Sequence, residues 1–288
     1  MANLKELRSR ITSVSSTMQI TSAMKMVSAA KLSKAQDAIT AMRPYADKLT
    51  ELLQGLSATL SEGASSKFAE EREVQNVLIV PISSNRGLAG AFNSNIIKGV
   101  KKIAAEEFAD KNIHLFTLGK KADDILKKSF TVDKNDNTIF DHLEYEPVAE
   151  IAEHIMDEFV KGNYDKVVLV YNKFKNAATQ IVMNEQFLPI VPIETEEKVT
   201  LDYVFEPNKE EIIEELIPKS LKMQLFKALR DSFASEHGAR MTAMHKATDN
   251  ATELRDSLKL SYNKARQASI TNEILEIVGG AEALAADK

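Results

Sequence analysis

Cysteine is absent from this 288-residue chain. That removes disulfides, thiolate metal sites and cysteine nucleophiles together, and it fits a reducing compartment. Tryptophan is absent too, and aromatic residues make up only 6% of the chain. Apolar runs such as Val77 to Ile82 and Val167 to Val170 fall far short of the roughly 20 residues that span a bilayer. Any membrane association is therefore expected to go through partners. The start, MANLKELRSRI, enters a helical pattern at once, without the apolar core of a signal peptide or an Arg/Ser-rich leader. A bacterial-type cytoplasm is the expected setting.

Proline is scarce where it matters most. Between Lys219 and Val278 there is none, and the single glycine is Gly238. The same stretch is rich in Ala, Leu, Met, Lys, Arg and Glu, so it reads as one helix, on the order of 100 Å long at the usual rise. A compact domain of this size would be about 40–50 Å across, so the helix must find partners beyond its own core. A second long helix is read from residue 3 to about 58. Its apolar or small residues recur at Leu4, Leu7, Ile11, Val14, Met18, Thr21, Ser28, Leu32, Ala35, Ile39, Met42, Ala46, Leu49, Leu53 and Leu56, with Lys25 at the one polar long-chain position. Steps of three and four mark a coiled-coil seam. Pro44 should kink this helix. In the C-terminal helix the matching seam is read at Met244, Ala247, Ala251, Leu254, Leu258, Ser261, Ala265, Ala268, Asn272 and Leu275, a spacing near 3.5 residues. The two helices should run antiparallel, the second longer by roughly 15–20 Å. Its apolar tip would aggregate unless another protein sleeves it.

From Asn76 the pattern changes to buried strands alternating with amphipathic helices: NVLIVPI, a helix from Asn93 to Ala109, NIHLFTL, a helix from Lys120 to Lys128, TIFDH, a helix from Val148 to Lys161, then KVVLVYNKF and ATQIVMNEQFLPI. That alternation predicts a largely parallel sheet. The short link between the last two strands predicts an antiparallel hairpin at the end. The expected fold class is α/β plus a long antiparallel coiled coil, with N- and C-terminal helices flanking a Rossmann-like α/β domain. Five segments follow: a coiled-coil helix (1–58), a linker (59–73), the α/β domain (74–193), a connecting foot segment (194–218) with a short strand at Leu201 to Phe205, and a coiled-coil helix (219–288). Pro218 is placed at or near the first turn of that last helix, where its missing donor matters least.

Net charge is −5, but it is unevenly spread. Residues 1–60 hold eight Lys/Arg against four Asp/Glu, and residues 221–288 hold ten against nine, so the negative balance lies wholly in the middle. Solvated helix faces would explain this; so would helical ends that fit an acidic cavity. Catalytic signals are missing. SSNRGLAGAFN, Ser83 to Asn93, joins a strand to a helix as a phosphate loop would. It has neither the GxxxxGK[ST] nor the GxGxxG pattern, and a tight turn at Gly87 and Gly90 accounts for it. The five histidines lack metal-ligand spacing, and His237 and His245 lie two turns apart. An acidic chain with few aromatics does not suit nucleic acid. No catalytic residue, metal or cofactor is expected.

Three words in the helices, ITSVSSTMQITSAMKMVSAAKL (11–32), SEHGARMTAMHKATDNA (235–251) and YNKARQASITNEILEIVGGAEAL (262–284), together with SSNRGLAGAFN, resemble the gamma-subunit family of F-type ATP synthases. The resemblance runs over essentially the whole chain in order. It implies a central-stalk rotor: a coiled coil inside a hexamer of alpha and beta subunits, and an α/β domain beside the epsilon subunit and the ring of c subunits. Rotation of that ring would drive the catalytic beta subunits through different nucleotide affinities. By the same resemblance Arg266, Gln267 and Thr271 contact a beta-subunit loop, although a solvent-facing polar stripe would also explain them. Met24 and Lys25, with Arg8 and Arg10 further along, contact an acidic lever of a beta subunit, or Met24 simply packs beside the seam. Tyr203, Phe205 and Glu206 meet the c ring, or form a plain domain edge. Ile274, Leu275, Ile277 and Val278 form a bearing tip. No long insertion or cysteine pair marks the chloroplast form, so the implied setting is the cytoplasmic face of a bacterial plasma membrane. Two other classes remain open from the residues alone: a static coiled-coil adaptor, and a nucleotide-binding α/β enzyme with helical arms.

Overall fold

The computed structural model describes residues 4–57, 67–70, 72–190 and 209–286, with side chains described for 4–46, 48, 49, 67–70, 72–190 and 214–281. The elements are α1 (Leu4–Ser57), β1 (Asn76–Pro81), α2 (Phe92–Glu106), β2 (Asn112–Leu118), α3 (Lys120–Leu126), β3 (Thr131–Asp136), α4 (Tyr145–Val160), β4 (Lys166–Phe174), β5 (Gln180–Leu188) and α5 (Lys209–Ala286). The chain divides into two compact units, residues 28–240 and residues 1–27 with 241–288. Each long helix contributes to both.

In the unit of residues 28–240 the sheet runs in the order β3-β2-β1-β4-β5. All pairs are parallel except β4 with β5. Successive side chains of β1 point to opposite faces, as a pleated strand requires, and both faces are dry. Val77 and Ile79 join α2 and α3, whereas Leu78 and Val80 join α4, the end of α1 and α5. Burial on both faces is why these strands read as unbroken apolar runs. Gly119 ends β2 at φ 101°, and a Cβ there would lie 2.3 Å from the Ser83 carbonyl oxygen, so no other residue fits that turn.

Two expectations fail here. The third strand is Thr131–Asp136, and TIFDH forms the turns after it. The cause is Asp136, whose Oδ1 accepts from the Thr138 amide at 2.7 Å, the Thr138 hydroxyl and the Ile139 amide, an Asx turn that ends the strand. As an edge strand β3 pairs only with β2, so it needs no apolar run. The C-terminal helix, in turn, begins at Lys209, and Pro218 lies inside it. An internal proline costs about 3 kcal/mol or more. Burial of Ile217 and Leu221 against the sheet offsets this, and Lys219 bridges to Glu215 at 2.6 Å across the site. α1 likewise continues through Pro44, which faces solvent.

From Leu221 to Arg240, α5 is buried on nearly every side, as for a helix in a protein core. Apolar burial dominates its first half, with Leu225 and Leu229 fully enclosed. Its second half carries Asp231, Ser232, Ser235, Glu236, His237 and Arg240, all buried. Burial pushes the His237 pKa down to about 3, and the neighbouring charges of Arg240 and Lys31 add to the effect. Phe233 meets the imidazole edge-on, with ring centroids 4.5 Å apart.

Leu229→Ala should therefore lower the unfolding free energy by about 2–5 kcal/mol, read from the urea midpoint of the purified chain. Leu254→Ala, at a side chain 52% exposed, should change it by less than about 1 kcal/mol. The depressed His237 pKa also sets a pH dependence. Unfolding lets the ring regain its ordinary pKa of 6.5, so the unfolded state binds the extra proton. The native state keeps its full advantage above pH 6.5 and loses up to about 1.4 kcal/mol per unit as pH falls toward 3. Asp231 and Glu236, whose pKa values burial raises, act in the opposite sense. The measurement is thus the difference between the parent and His237→Leu from pH 7 to 4.5, in which the parent's stability should fall more steeply.

Candidate functional site

The unit of residues 1–27 and 241–288 consists of the two helices alone. The Thr248 hydroxyl donates to the Thr21 hydroxyl at 2.8 Å, and the Arg255 guanidinium reaches the Met18 sulfur at 3.3 Å. As α5 advances from 248 to 255 its partner recedes from 21 to 18, so the helices are antiparallel. On α1 every seam position read from the periodicity within this unit is buried or half-buried, including Leu7 and Thr21 at 9% exposure. Hydroxyls in the Ser/Thr run return to carbonyls one turn back: Thr12 to Arg8, Ser15 to Ile11 and Thr17 to Ser13. Those local bonds satisfy a stretch of low intrinsic helix propensity within the helix.

On α5 the seam departs from the expected positions. Met244 and Ala251 are buried and Ala247 half-buried, but the covered positions then become Arg255, Leu258, Tyr262, Ala265 and Ser269. Leu254, Ser261 and Ala268 face solvent. Arg255 and Tyr262 are half-buried, with the Arg255 guanidinium against Met18 of the partner helix; long side chains with polar ends are what a search for small or apolar seam residues passes over. From Ile270 to Ala281 every residue is exposed. Ile274, Leu275, Ile277 and Val278 are 55, 62, 71 and 49% exposed. Gly279 and Gly280 have open space where a Cβ would stand.

The predicted contact residues fall into distinct settings. Arg266, Gln267 and Thr271 are exposed on α5, and the Thr271 hydroxyl donates to the Gln267 carbonyl at 2.9 Å. That bond ties off the hydroxyl hydrogen, and the Gln267 side chain is exposed to solvent. Arg8 is exposed, and Arg10 pairs with Glu6 at 2.7 Å, an exposed pair of little energetic weight. Met24 and Lys25 are half-buried. Ile20, Met26 and Val27, which the sequence reading passed over, are 60, 64 and 58% exposed. Their signal was there: apolar side chains lying off the seam of a helix must face something other than its partner. Tyr203, Phe205 and Glu206 lie outside the described residues.

The Ser83–Asn93 loop offers little to a phosphate. The Ser83 amide donates to the Leu118 carbonyl and the Ser84 amide to Asn93 Oδ1. The Ser83 hydroxyl oxygen accepts from the Ala122 amide at 3.0 Å, and Asn85 Oδ1 accepts from the Lys120 amide at 3.1 Å. The two amides that open the loop are thus already engaged. The loop turns here with Leu88 and Gly90 in the left-handed region, at φ 61° and 57°. Among the described residues no three His, Asp or Glu side chains group as a metal site would require.

A family model described as ATP synthase matches residues 3–284. The chain is 74% identical over 284 residues to the ATP synthase gamma chain of Christiangramia forsetii and 68% identical over 285 residues to that of Flavobacterium psychrophilum, with 99% of both chains covered in each case. Among solved structures it is similar to the central stalk and c-ring structure of the Tetrahymena thermophila mitochondrial ATP synthase, with a TM-score of 0.58 and 25% identity over 79% of this chain and 99% of that one. A likeness of fold extends to the Euglena gracilis mitochondrial enzyme, with a TM-score of 0.71 and 22% identity over 99% of this chain and 95% of that one. A family model matched over residues 3–284 and relatives 68–74% identical over essentially the full length mean that the chain belongs to the gamma-chain family of ATP synthases.

Proposed function

We propose that this chain performs the gamma-chain role, as the central-stalk rotor that couples the c ring to catalysis on the beta subunits, through the exposed last turns of α5 and the flank of α1. The observation that carries the reading is the uncovered stretch: from Ile270 to Ala281 α5 has no cover of its own, although it displays an apolar stripe at Ile270, Ile274, Ile277 and Val278. Such a stripe implies an enclosing partner. As a gamma chain it is a non-catalytic subunit, and the catalytic sites lie on the beta subunits. Its partners are the alpha, beta and epsilon subunits and the c ring.

Within that role Arg266, Gln267 and Thr271 form a directional polar contact with a beta subunit. Met24, Lys25, Arg8 and Arg10 supply a second contact, joined by exposed Ile20, Met26 and Val27. Ile274, Leu275, Ile277 and Val278 act as the bearing, where non-directional apolar contact lets the helix turn. Tyr203, Phe205 and Glu206 meet the c ring. No described helix is long and apolar enough to cross a membrane. The chain is a peripheral part of the membrane complex, and we place it on the cytoplasmic face of a bacterial plasma membrane.

Adding this chain to separate alpha and beta subunits should produce sustained, cooperative ATP hydrolysis, whereas the chain alone should hydrolyse none. Ordinary turnover by the isolated chain would refute the reading. Gln267→Ala with Thr271→Ala should lower ATP synthesis by the complete complex several-fold. Both sites are exposed, so unfolding free energy should move by no more than about 0.5 kcal/mol each. A crosslink from α5 to one beta subunit should stall hydrolysis; full activity in the crosslinked complex would instead favour a static adaptor.

A further inference from the structure

Three of the polar side chains in the buried second half of α5, Ser232, Ser235 and Arg240, reach backbone carbonyls. The Ser232 hydroxyl lies 3.5 Å from the Ile82 carbonyl at the end of β1. The Ser235 hydroxyl donates to the Asn172 carbonyl of β4 at 2.9 Å. Arg240 Nη2 donates to the Arg86 and Gly87 carbonyls of the β1–α2 loop at 3.1 and 3.4 Å. Its other terminal nitrogen pairs with Glu236 Oε1 at 2.6 Å, and both side chains are about nine-tenths buried. These three side chains therefore reach backbone carbonyls, whose positions β1, β4 and the loop after β1 fix.

The helix is also held from its far side. A Cβ on Gly238 would approach Ala177 Cα to 3.2 Å and the Phe174 ring to 3.4 Å, so the β4–β5 hairpin presses on the helix backbone itself. Residues 238 and 240 are two positions apart and point to nearly opposite sides of the helix. One side is thus wedged by the hairpin and the other tied to the loop. That loop is in turn rigidly set: the Asn93 amide group donates to the Ser84 hydroxyl oxygen, the Asn85 amide group donates to the Asn137 carbonyl, and Leu88 is kept at φ 61°. A bulky residue held in that region marks a backbone that its surroundings over-determine.

A buried ion pair is a poor device for stability, because the desolvation of both charges offsets much of their attraction. Apolar residues of the same volume would pack as well, but they would not resist turning of the helix about its own axis. We infer that Arg240, oriented by Glu236, is a positioning residue that fixes the rotational setting of α5 against the sheet, at the last residue before α5 continues into the second unit. In a rotor, torque applied to the α/β domain then passes into the helix at this clamp instead of being absorbed by slippage. The inference rests on the rotor reading.

Its test uses the rotating complex of this chain with alpha and beta subunits. The chain has no cysteine, so Lys98→Cys on the exposed face of α2 accepts a bead on the α/β domain while a cysteine-free hexamer is immobilised. The variant pair is Glu236→Met with Arg240→Met, which leaves no unpaired buried charge. Angular variance during the catalytic pauses should rise at least twofold, with hydrolysis within twofold of the parent. Unchanged variance would overturn the clamp. So would failure of the double variant to assemble, because that would make the pair a folding element. A parent that hydrolyses ATP without turning the bead would overturn the rotor reading, and the clamp with it.

Discussion

A long helix is stable in water only where its apolar face is covered, since intrinsic propensity contributes little beside tertiary burial. α5 meets that constraint differently along its length. Residues 221–240 are enclosed by a sheet, a hairpin and a neighbouring helix. Residues 244–269 are covered along a single seam. Residues 270–281 have no cover, although their apolar side chains recur on a helical stripe. Such a progression does not suit a free-standing protein. It suits one whose last surface is supplied by other chains.

The α/β domain has the architecture of nucleotide-binding proteins, with a parallel sheet, a strand-loop-helix connection and dry faces on both sides. The first two amides of its loop after β1 go to Asn93 and Leu118, and the Arg86 and Gly87 carbonyls accept from Arg240. The element that elsewhere would hold a phosphate holds a helix here. That reassignment is consistent with a fold serving as a mechanical base, where chemistry resides on other subunits and the site, not the fold, decides function.

Legibility in the sequence followed physical simplicity. The α1 seam from Leu4 to Leu49 was readable because each position except Lys25 is small or apolar and each is covered. On α5 the same rule slipped after Ala251, because the half-buried Arg255 and Tyr262 take seam positions with long side chains that end in polar groups. Pro218 stopped the predicted helix and does not stop the real one. A local rule cannot register the tertiary burial of Ile217 and Leu221 on either side. Edge strand β3 was overlooked because it needs only one paired flank and carries Asp133, Lys134 and Asp136. In the candidate site, exposed Gln267 and Thr271 came from their words and not from periodicity. Ile20, Met26 and Val27 were visible as off-seam apolar residues but were not singled out.

The kinds of contact along α5 divide by directionality. A hydrogen bond depends on angle as well as distance, whereas apolar contact is non-directional and scales with area. The helix is fixed to the sheet by angle-dependent bonds from Ser235 and Arg240 to backbone carbonyls. Its exposed end displays Ile274, Ile277 and Val278, which can slide within an apolar sleeve with little change in energy. Between these lie Gln267 and Thr271, polar groups one turn apart on the same side of the helix. On the proposed reading, that asymmetry does the coupling. A contact made at one rotation angle and lost at another interacts differently with successive states of a beta subunit, and only such a difference can shift the equilibrium between them. A shaft that was apolar all round would turn freely, and a shaft polar all round would bind at every angle.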